Sequence, residues 1–192
     1  RQIKFDIVRE SLIRLGKIVD PDVRLYESGE LPVVAARTTL RVAGAPRGVG
    51  FRQRRSHDVV PIERCLVAHP SLNELLPKMR LDGAEECVVR VGVASGERMA
   101  WAEPVDSVGG LPGDVGLSSD ALVHESISGQ TFQISAASFF QSSPQAAAAL
   151  VEATRRALGD VASWGAGPVV DAYCGVGLFA TMVFPAERHV IA

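Results

Sequence analysis

Apolar residues recur at Phe5, Val8, Leu12 and Leu15, in steps of three and four that draw one stripe along a helix over residues 2–15. Gly16 is a natural stop for that helix, and Asp20-Pro21-Asp22 breaks the chain after it. Residues 33–43 (VVAARTTLRVA) read as a strand, 44–48 as a turn and 49–52 as the returning strand, with a further arm over 59–65. Leu72, Leu75, Leu76 and Met79 share one helical face over 71–81, with Ser71 as the cap and Pro77 as a kink. Residues 87–94 and 98–102 alternate as an antiparallel pair, and the Gly-, Pro-, Ser- and Asp-rich 104–120 reads as a loop. Two short strands, 121–125 and 131–135, are joined through Ser128-Gly129.

The pattern changes from residue 142. Ser143-Pro144 is a cap followed by proline at the first helical position, and the helix over 146–158 carries Leu150, Val151, Thr154 and Leu158 on one face before Gly159. A linker at 163–167 leads into a short buried strand at 168–171, a turn with two glycines, a helix reaching 184 and a new strand at 190–192. Strand, glycine turn, helix and strand in that order open a parallel α/β domain. The expected organisation is a mixed α+β domain over 1–140 and the start of an α/β domain over 141–192. Because the chain opens on Arg1 and closes inside an apolar strand pattern at Ala192, it is expected to be a segment of a longer protein lacking both ends.

Composition narrows the classes. At 192 residues with 47% hydrophobic and 22% charged residues, the chain is globular and not disordered. No apolar run approaches the ~18 residues of a membrane span, so no membrane partner is expected, and no leader pattern stands at Arg1-Gln2-Ile3-Lys4. Cys65, Cys87 and Cys174 form no disulfide framework, which points to a reducing, cytoplasmic setting. The net charge of −2 hides an asymmetry: residues 1–64 hold 13 Lys+Arg against 8 Asp+Glu, whereas 82–125 hold 2 against 9. Arg52, Arg54 and Arg55 are the densest basic cluster, suited to phosphates or to a solvated hairpin face. His57, His69, His124 and His189 have no metal-ligand spacing.

The chemistry concentrates in Val169-Val170-Asp171-Ala172-Tyr173-Cys174-Gly175-Val176-Gly177-Leu178-Phe179. An apolar strand ends on an acid, and two glycines let the backbone approach a ligand before a helix begins. A dinucleotide loop would be G-x-G-x-x-G, with Ala180 here at the third place. The strand-ending Asp171, four residues before the first glycine, instead gives the order D-x-x-x-G-x-G of S-adenosylmethionine-type methyltransferases, whose cofactor has no phosphate and whose amino-acid and ribose parts need acceptors and close backbone. A plain tight turn is the third reading.

Two further stretches separate these. Ala137-Ser138-Phe139-Phe140-Gln141-Ser142-Ser143-Pro144-Gln145 resembles the S-F-x-Q-x-N segment of the RNA uracil-5-methyltransferases, and Asp171 to Gly177 resembles their D-L-Y-C-G-x-G loop. Gly50-Phe51-Arg52, Ser56-His57-Asp58-Val59-Val60, Cys65 and Pro70-Ser71-Leu72-Asn73 resemble their central domain. The chain is therefore identified as similar to the S-adenosylmethionine-dependent tRNA and ribosomal-RNA 5-methyluridine methyltransferases. The resemblance implies that 141–192 opens a Rossmann-like class I methyltransferase domain, truncated here. It implies cofactor binding by Gln141, Asp171, Tyr173, Gly175 and Gly177, and RNA contact by Phe139 beside a flipped base and by Arg52, Arg54 and Arg55. Cys65 matches the last of four cysteines that hold a [4Fe–4S] cluster in the ribosomal branch, the other three preceding Arg1 in the full-length parent. That cysteine puts ribosomal RNA ahead of tRNA as the substrate. Leu178 and Ser142-Ser143 depart from the family pattern and remove polar side chains.

Carbon 5 of uracil is a poor nucleophile, so methylation there needs a thiolate to add at carbon 6 and a base to take the proton from carbon 5. Cys174 sits inside the cofactor loop and is read as a packed residue. The family's nucleophile and base lie downstream, so no catalytic residue is assigned and the segment alone is expected to be inactive. The competing readings are a non-catalytic RNA-binding module and a nucleotide-dependent oxidoreductase fragment.

Overall fold

The computed structural model describes residues 2–26, 29 and 31–192. The chain divides into two compact units, Arg1–Glu30 and Leu31–Ala192. The first unit carries α1 (Gln2–Arg14), which ends where the periodicity predicts and buries none of its residues.

In the second unit the strands are β1 (Thr39–Ala45), β2 (Gly48–Arg52), β3 (Val59–Pro61), β4 (Arg80–Leu81), β5 (Glu86–Val91), β6 (Arg98–Ala102), β7 (Val108–Gly109), β8 (Val115–Gly116), β9 (Leu122–Ile127), β10 (Gln130–Ser135), β11 (Val169–Val170) and β12 (Val190–Ile191). The helices are α2 (Pro70–Asn73), α3 (Pro144–Leu158) and α4 (Leu178–Met182). A mixed six-stranded sheet runs β3-β2-β1-β5-β6-β8, antiparallel except for β6 with β8. Gly50 is required in β2, because a Cβ there would lie 2.0 Å from the Val60 carbonyl oxygen across the β2–β3 pair.

Two cores hold the unit together. One face of the sheet packs Leu40, Val42, Val49, Val89 and Ala100 against Leu72, Leu75, Leu76 and Met79. The β9–β10 hairpin brings Val123, Ile127, Phe132 and Ile134 against Ala147 and Val151 of α3 and Leu178 and Met182 of α4. Glu125 ties the two together: its buried carboxylate accepts the backbone N–H groups of Val93 (2.8 Å) and Ala94 (3.2 Å) in the β5–β6 turn. The Ser143 hydroxyl caps α3 by accepting from the Ala146 N–H at 3.1 Å, as the Ser-Pro signal predicts.

Several local expectations are corrected. Residues 33–38 are not strand: Ala35 has φ +57, which interrupts extended backbone, and Val33 and Val34 are exposed. That segment instead bonds to the chain at 66–68, with Ala35 N–H to Leu66 O at 2.9 Å and Arg37 N–H to Val67 O at 2.7 Å. The predicted helix over 71–81 shrinks to α2, capped by the His69 ring and not by Ser71. Its end at Asn73 follows from Pro77, whose ring collides with a helical carbonyl four residues earlier. The arm expected over 59–65 stops at Pro61, which cannot donate to a ladder. The presumed loop 104–120 contains β7 and β8, which pair with β4 and β6.

The strand–turn–helix–strand reading holds as topology, since β11 and β12 pair in parallel, Val169 with Val190 and Val170 with Ile191. The expectation that β11 is buried does not: Val170 is 65% exposed, because β11 has only the two-residue β12 beside it. No helix among the described residues is long and apolar enough to cross a membrane.

Candidate cofactor and RNA site

The chain leaves β11 at Asp171, whose N–H donates to Ile191 O at 2.8 Å. The loop that follows turns on two glycines in the left-handed region, Gly175 at φ +55 and Gly177 at φ +81. Side chains resist that conformation, which is why glycine stands at both places. Gly177 opens α4, its N–H bonded to Cys174 O at 2.8 Å and its carbonyl accepting from Thr181 N–H at 2.9 Å.

The segment between β10 and α3 lies across this loop. A Cβ at Gly175 would stand 3.9 Å from the Phe139 carbonyl oxygen. Phe139, Phe140 and Gln141 face Tyr173, Cys174, Gly175 and Val176 over a cleft of about 70 Å³. That is far below the ~300 Å³ of a typical small-molecule pocket, so these residues form one wall of a site rather than an enclosure. Gln141 is half-buried, and its carboxamide makes no hydrogen bond among the described residues. Two aromatics flank the cleft almost bare, Tyr173 at 97% exposure and Phe139 at 74%. Asp171 does not line the cleft, but its Oδ2 is buried without a hydrogen-bond partner. An orphaned carboxylate oxygen at a strand end is a costly feature that a donor group on a ligand would relieve.

Phe139 and Gln141 also border a larger cleft of about 690 Å³, with Arg37, Thr39, Arg41, Phe51, Cys65 and Arg90 on its other walls. Arg90 is a further candidate, with no motif to mark it in the sequence. It is 4% exposed near the C-terminal end of β5, and its guanidinium donates to Thr39 Oγ1 (3.0 Å), Ser135 O (2.6 Å) and Ser138 O (2.8 Å). Burial, then the nearby Arg41 charge, push its pKa down to about 10, so it stays protonated at neutral pH. The only sequence signal is a charge inside CVVRVGV, where an alternating strand exposes one face but β5 is covered on both.

The basic cluster divides. Arg52 is engaged by Glu85 (3.4 Å) and Glu86 (3.4 Å) and touches the His57 ring at 3.4 Å. Arg54 and Arg55, at the tip of the β2–β3 hairpin, are exposed and carry no ion pair among the described residues. None of the three lines either cleft. Cys65 is held through its backbone by Asn73, which accepts the Cys65 N–H at 2.8 Å and donates to its carbonyl at 3.0 Å. No group of three His, Cys, Asp or Glu side chains converges among the described residues. Cys174 leans on its own loop, its Sγ 3.8 Å from Gly175 O.

No family model matches the sequence. The chain is 31% identical over 212 residues to an uncharacterized RNA methyltransferase of Streptomyces avermitilis, an alignment covering 94% of this chain and 47% of that protein. A counterpart in Streptomyces coelicolor is 30% identical over 94% of this chain and 45% of its own length. A stretch of 31 residues, 16% of this chain and 7% of the relative, is 48% identical to the 23S rRNA (uracil(1939)-C(5))-methyltransferase RlmD of Haemophilus influenzae. The chain thus spans about half the length of the first two relatives. Its fold is similar to the crystal structure of Pyrococcus abyssi tRNA (uracil-54, C5)-methyltransferase in complex with S-adenosyl-L-homocysteine, with a TM-score of 0.63, 19% identity, and coverage of 98% of this chain and 55% of that one. By sequence across nearly all of its length and by fold, the chain is a relative of the RNA methyltransferases.

Proposed function

We propose that the chain forms one wall of the cofactor site, and part of the RNA-contacting surface, of an enzyme that transfers a methyl group from S-adenosylmethionine to carbon 5 of a uridine. The observation that carries the reading is the meeting of Gln141, Tyr173 and Gly175 on one cleft from segments some thirty residues apart. Gln141 on one side and Tyr173 and Gly175 on the other come from two loops held by different elements, while Asp171 and Gly177 lie outside the lining of the cleft. The orphaned Asp171 Oδ2 supports the same reading, because the amino and hydroxyl groups of the cofactor are the donors it needs. When bound, S-adenosylmethionine supplies an electrophilic methyl group on sulfur. In this reading Gly175 and Gly177 let the backbone approach the ligand, Gln141 offers an amide to its polar end, and Tyr173 covers it. Phe139, exposed between the two clefts, offers a ring on which an unstacked base can rest. Cys174 is part of the wall and not the nucleophile.

The name of the Haemophilus relative supports uracil carbon 5 as the target and ribosomal RNA as the substrate, whereas the Pyrococcus neighbour acts on tRNA. Cys65 on the larger cleft is the one ribosomal-branch feature of the chain, and a [4Fe–4S] cluster there would draw its remaining ligands from outside it. The division near residue 140 is proposed as one of role, RNA contact before it and cofactor after it, with the second core shared across it. Neither a dinucleotide-dependent oxidoreductase nor a non-catalytic module is favoured by the relatives' names.

Calorimetric titration of the chain with S-adenosylhomocysteine and with NADH tests the cofactor class. Saturable binding of the first and none of the second is expected; the opposite order overturns the proposal. Labelled cofactor with a uridine-containing RNA is expected to give no methyl transfer by this chain alone, and turnover would contradict the assignment of Cys174 to the wall.

A further inference from the structure

The chain leaves β10 at Ser135 and enters α3 at Pro144, and the residues between must hold their shape without secondary structure. Two tethers bracket the part that matters. At one end, the Arg90 guanidinium bonds the carbonyls of Ser135 and Ser138, and the two serine hydroxyls bond each other at 2.8 Å. At the other, Ser142 O accepts the Thr38 N–H at 2.9 Å. Between them Phe140 is buried in the second core with its ring 6.3 Å from that of Phe132, and Phe139 and Gln141, which have no such anchor, lie over the glycine loop.

Burying a cation among neutral acceptors is costly, and Arg90 has no carboxylate partner among the described residues. An apolar residue would suit this buried position near the end of β5 far better. What arginine adds is a rigid planar fork, able to reach two carbonyls and a hydroxyl at once; lysine has a single nitrogen for the same task.

We infer that Arg90 is a positioning residue: its guanidinium fixes the turn at 135–138 and so sets Phe139 and Gln141 against the glycine loop. Arg90 itself lies in the central sheet and belongs to none of the motifs. It links the sheet to the cofactor wall, and the cofactor half of the inference rests on the function proposed above.

Cys174 reports the placement directly, since it lines the cleft opposite Phe139 and Gln141. Cys87 is the internal control, being fully buried in the sheet core with its thiol pushed up to about 12 by burial. Alkylation of the folded chain by iodoacetamide, followed per cysteine by peptide mass spectrometry, compares the natural chain with Arg90→Met, Arg90→Lys and Thr39→Val. Arg90→Met is expected to speed Cys174 modification by about tenfold with Cys87 still protected. Arg90→Lys should fall between, and Thr39→Val, which removes only the Nε acceptor, should produce a smaller change in the same direction. An unchanged Cys174 rate, or Cys87 rising in step with Cys174, overturns the inference, because general loosening would then explain the effect. S-adenosylhomocysteine affinity should drop about tenfold in Arg90→Met; full affinity beside a faster Cys174 would refute the link to the cofactor. If the natural chain takes up no S-adenosylhomocysteine, the proposed function fails, and the alkylation rates alone decide the role of Arg90.

Discussion

Asp171→Asn separates stability from binding at the strand end. The substitution keeps the side-chain volume and removes the charge of a carboxylate whose Oδ2 is buried without a partner. A buried acceptor left unsatisfied costs about 1–3 kcal/mol, more when charged. Asparagine leaves a polar atom unpartnered at the same place, so the free variant should melt within about 2 °C of the natural chain. Ligand binding should respond far more strongly. If Asp171 accepts a hydrogen bond from the cofactor, losing a charged acceptor should weaken S-adenosylhomocysteine binding by about 10- to 100-fold. Thermal melts with and without S-adenosylhomocysteine, beside calorimetric titration, give both numbers from one preparation. The variant is thus expected to melt close to the natural chain when free and to lose most of the ligand-induced rise. A lower melting point with full ligand affinity would make Asp171 a structural residue and remove it from the cofactor site.

The hairpin arginines should act on RNA without touching the cofactor. Arg54→Ala with Arg55→Ala is expected to reduce the salt slope of single-stranded RNA binding by about 1–2, whereas Arg52→Ala, already engaged by Glu85 and Glu86, should change it less. Equal effects of the two substitutions, measured by anisotropy across a salt series, would count against this division. Acid stability should depend on Glu97. Desolvation pushes its pKa up, but bonds from Ser95 and from the backbone and ring of His124 outweigh this and leave it below its ordinary 4.5. A carboxylate depressed in the folded state adds stability above its unfolded pKa and loses it as pH falls, so the loss should run from about pH 4.5 downward. Glu97→Gln should flatten that acid limb in urea melts, and an unaltered limb would exclude Glu97 as its source.

The sequence made the short-range architecture legible wherever one residue dictates it. Ser143-Pro144 marks the start of α3, and Ser128-Gly129 places the β9–β10 turn. The motif residues 139–141 and 173–175 also meet as neighbours, though they are far apart along the chain. The failures share a cause: partners lie outside any local window. Strands β7 and β8 exist because β4 and β6 lie beside them, and nothing within 104–120 announces that. The apolar face Leu72, Leu75, Leu76 and Met79 is buried as its spacing predicts, yet through turns, since Pro77 forbids the helix. Arg90 was invisible because its acceptors are carbonyls some 45 residues away, and carbonyls leave no mark in a sequence. The unequal standing of Arg52, Arg54 and Arg55 likewise depends on Glu85 and Glu86 across the sheet.

In the proposed function, the bend at Gly175–Gly177 and the Gln141 carboxamide together receive a sulfonium cofactor. Amide-resolved NMR of the labelled chain titrated with S-adenosylhomocysteine tests it most directly. Saturable shifts are expected at the Gly175 and Gly177 amides and at the Gln141 side-chain amide, with the β9–β10 turn at Gly129 unmoved. Shifts confined to other segments, or the same response to NADH, would contradict it.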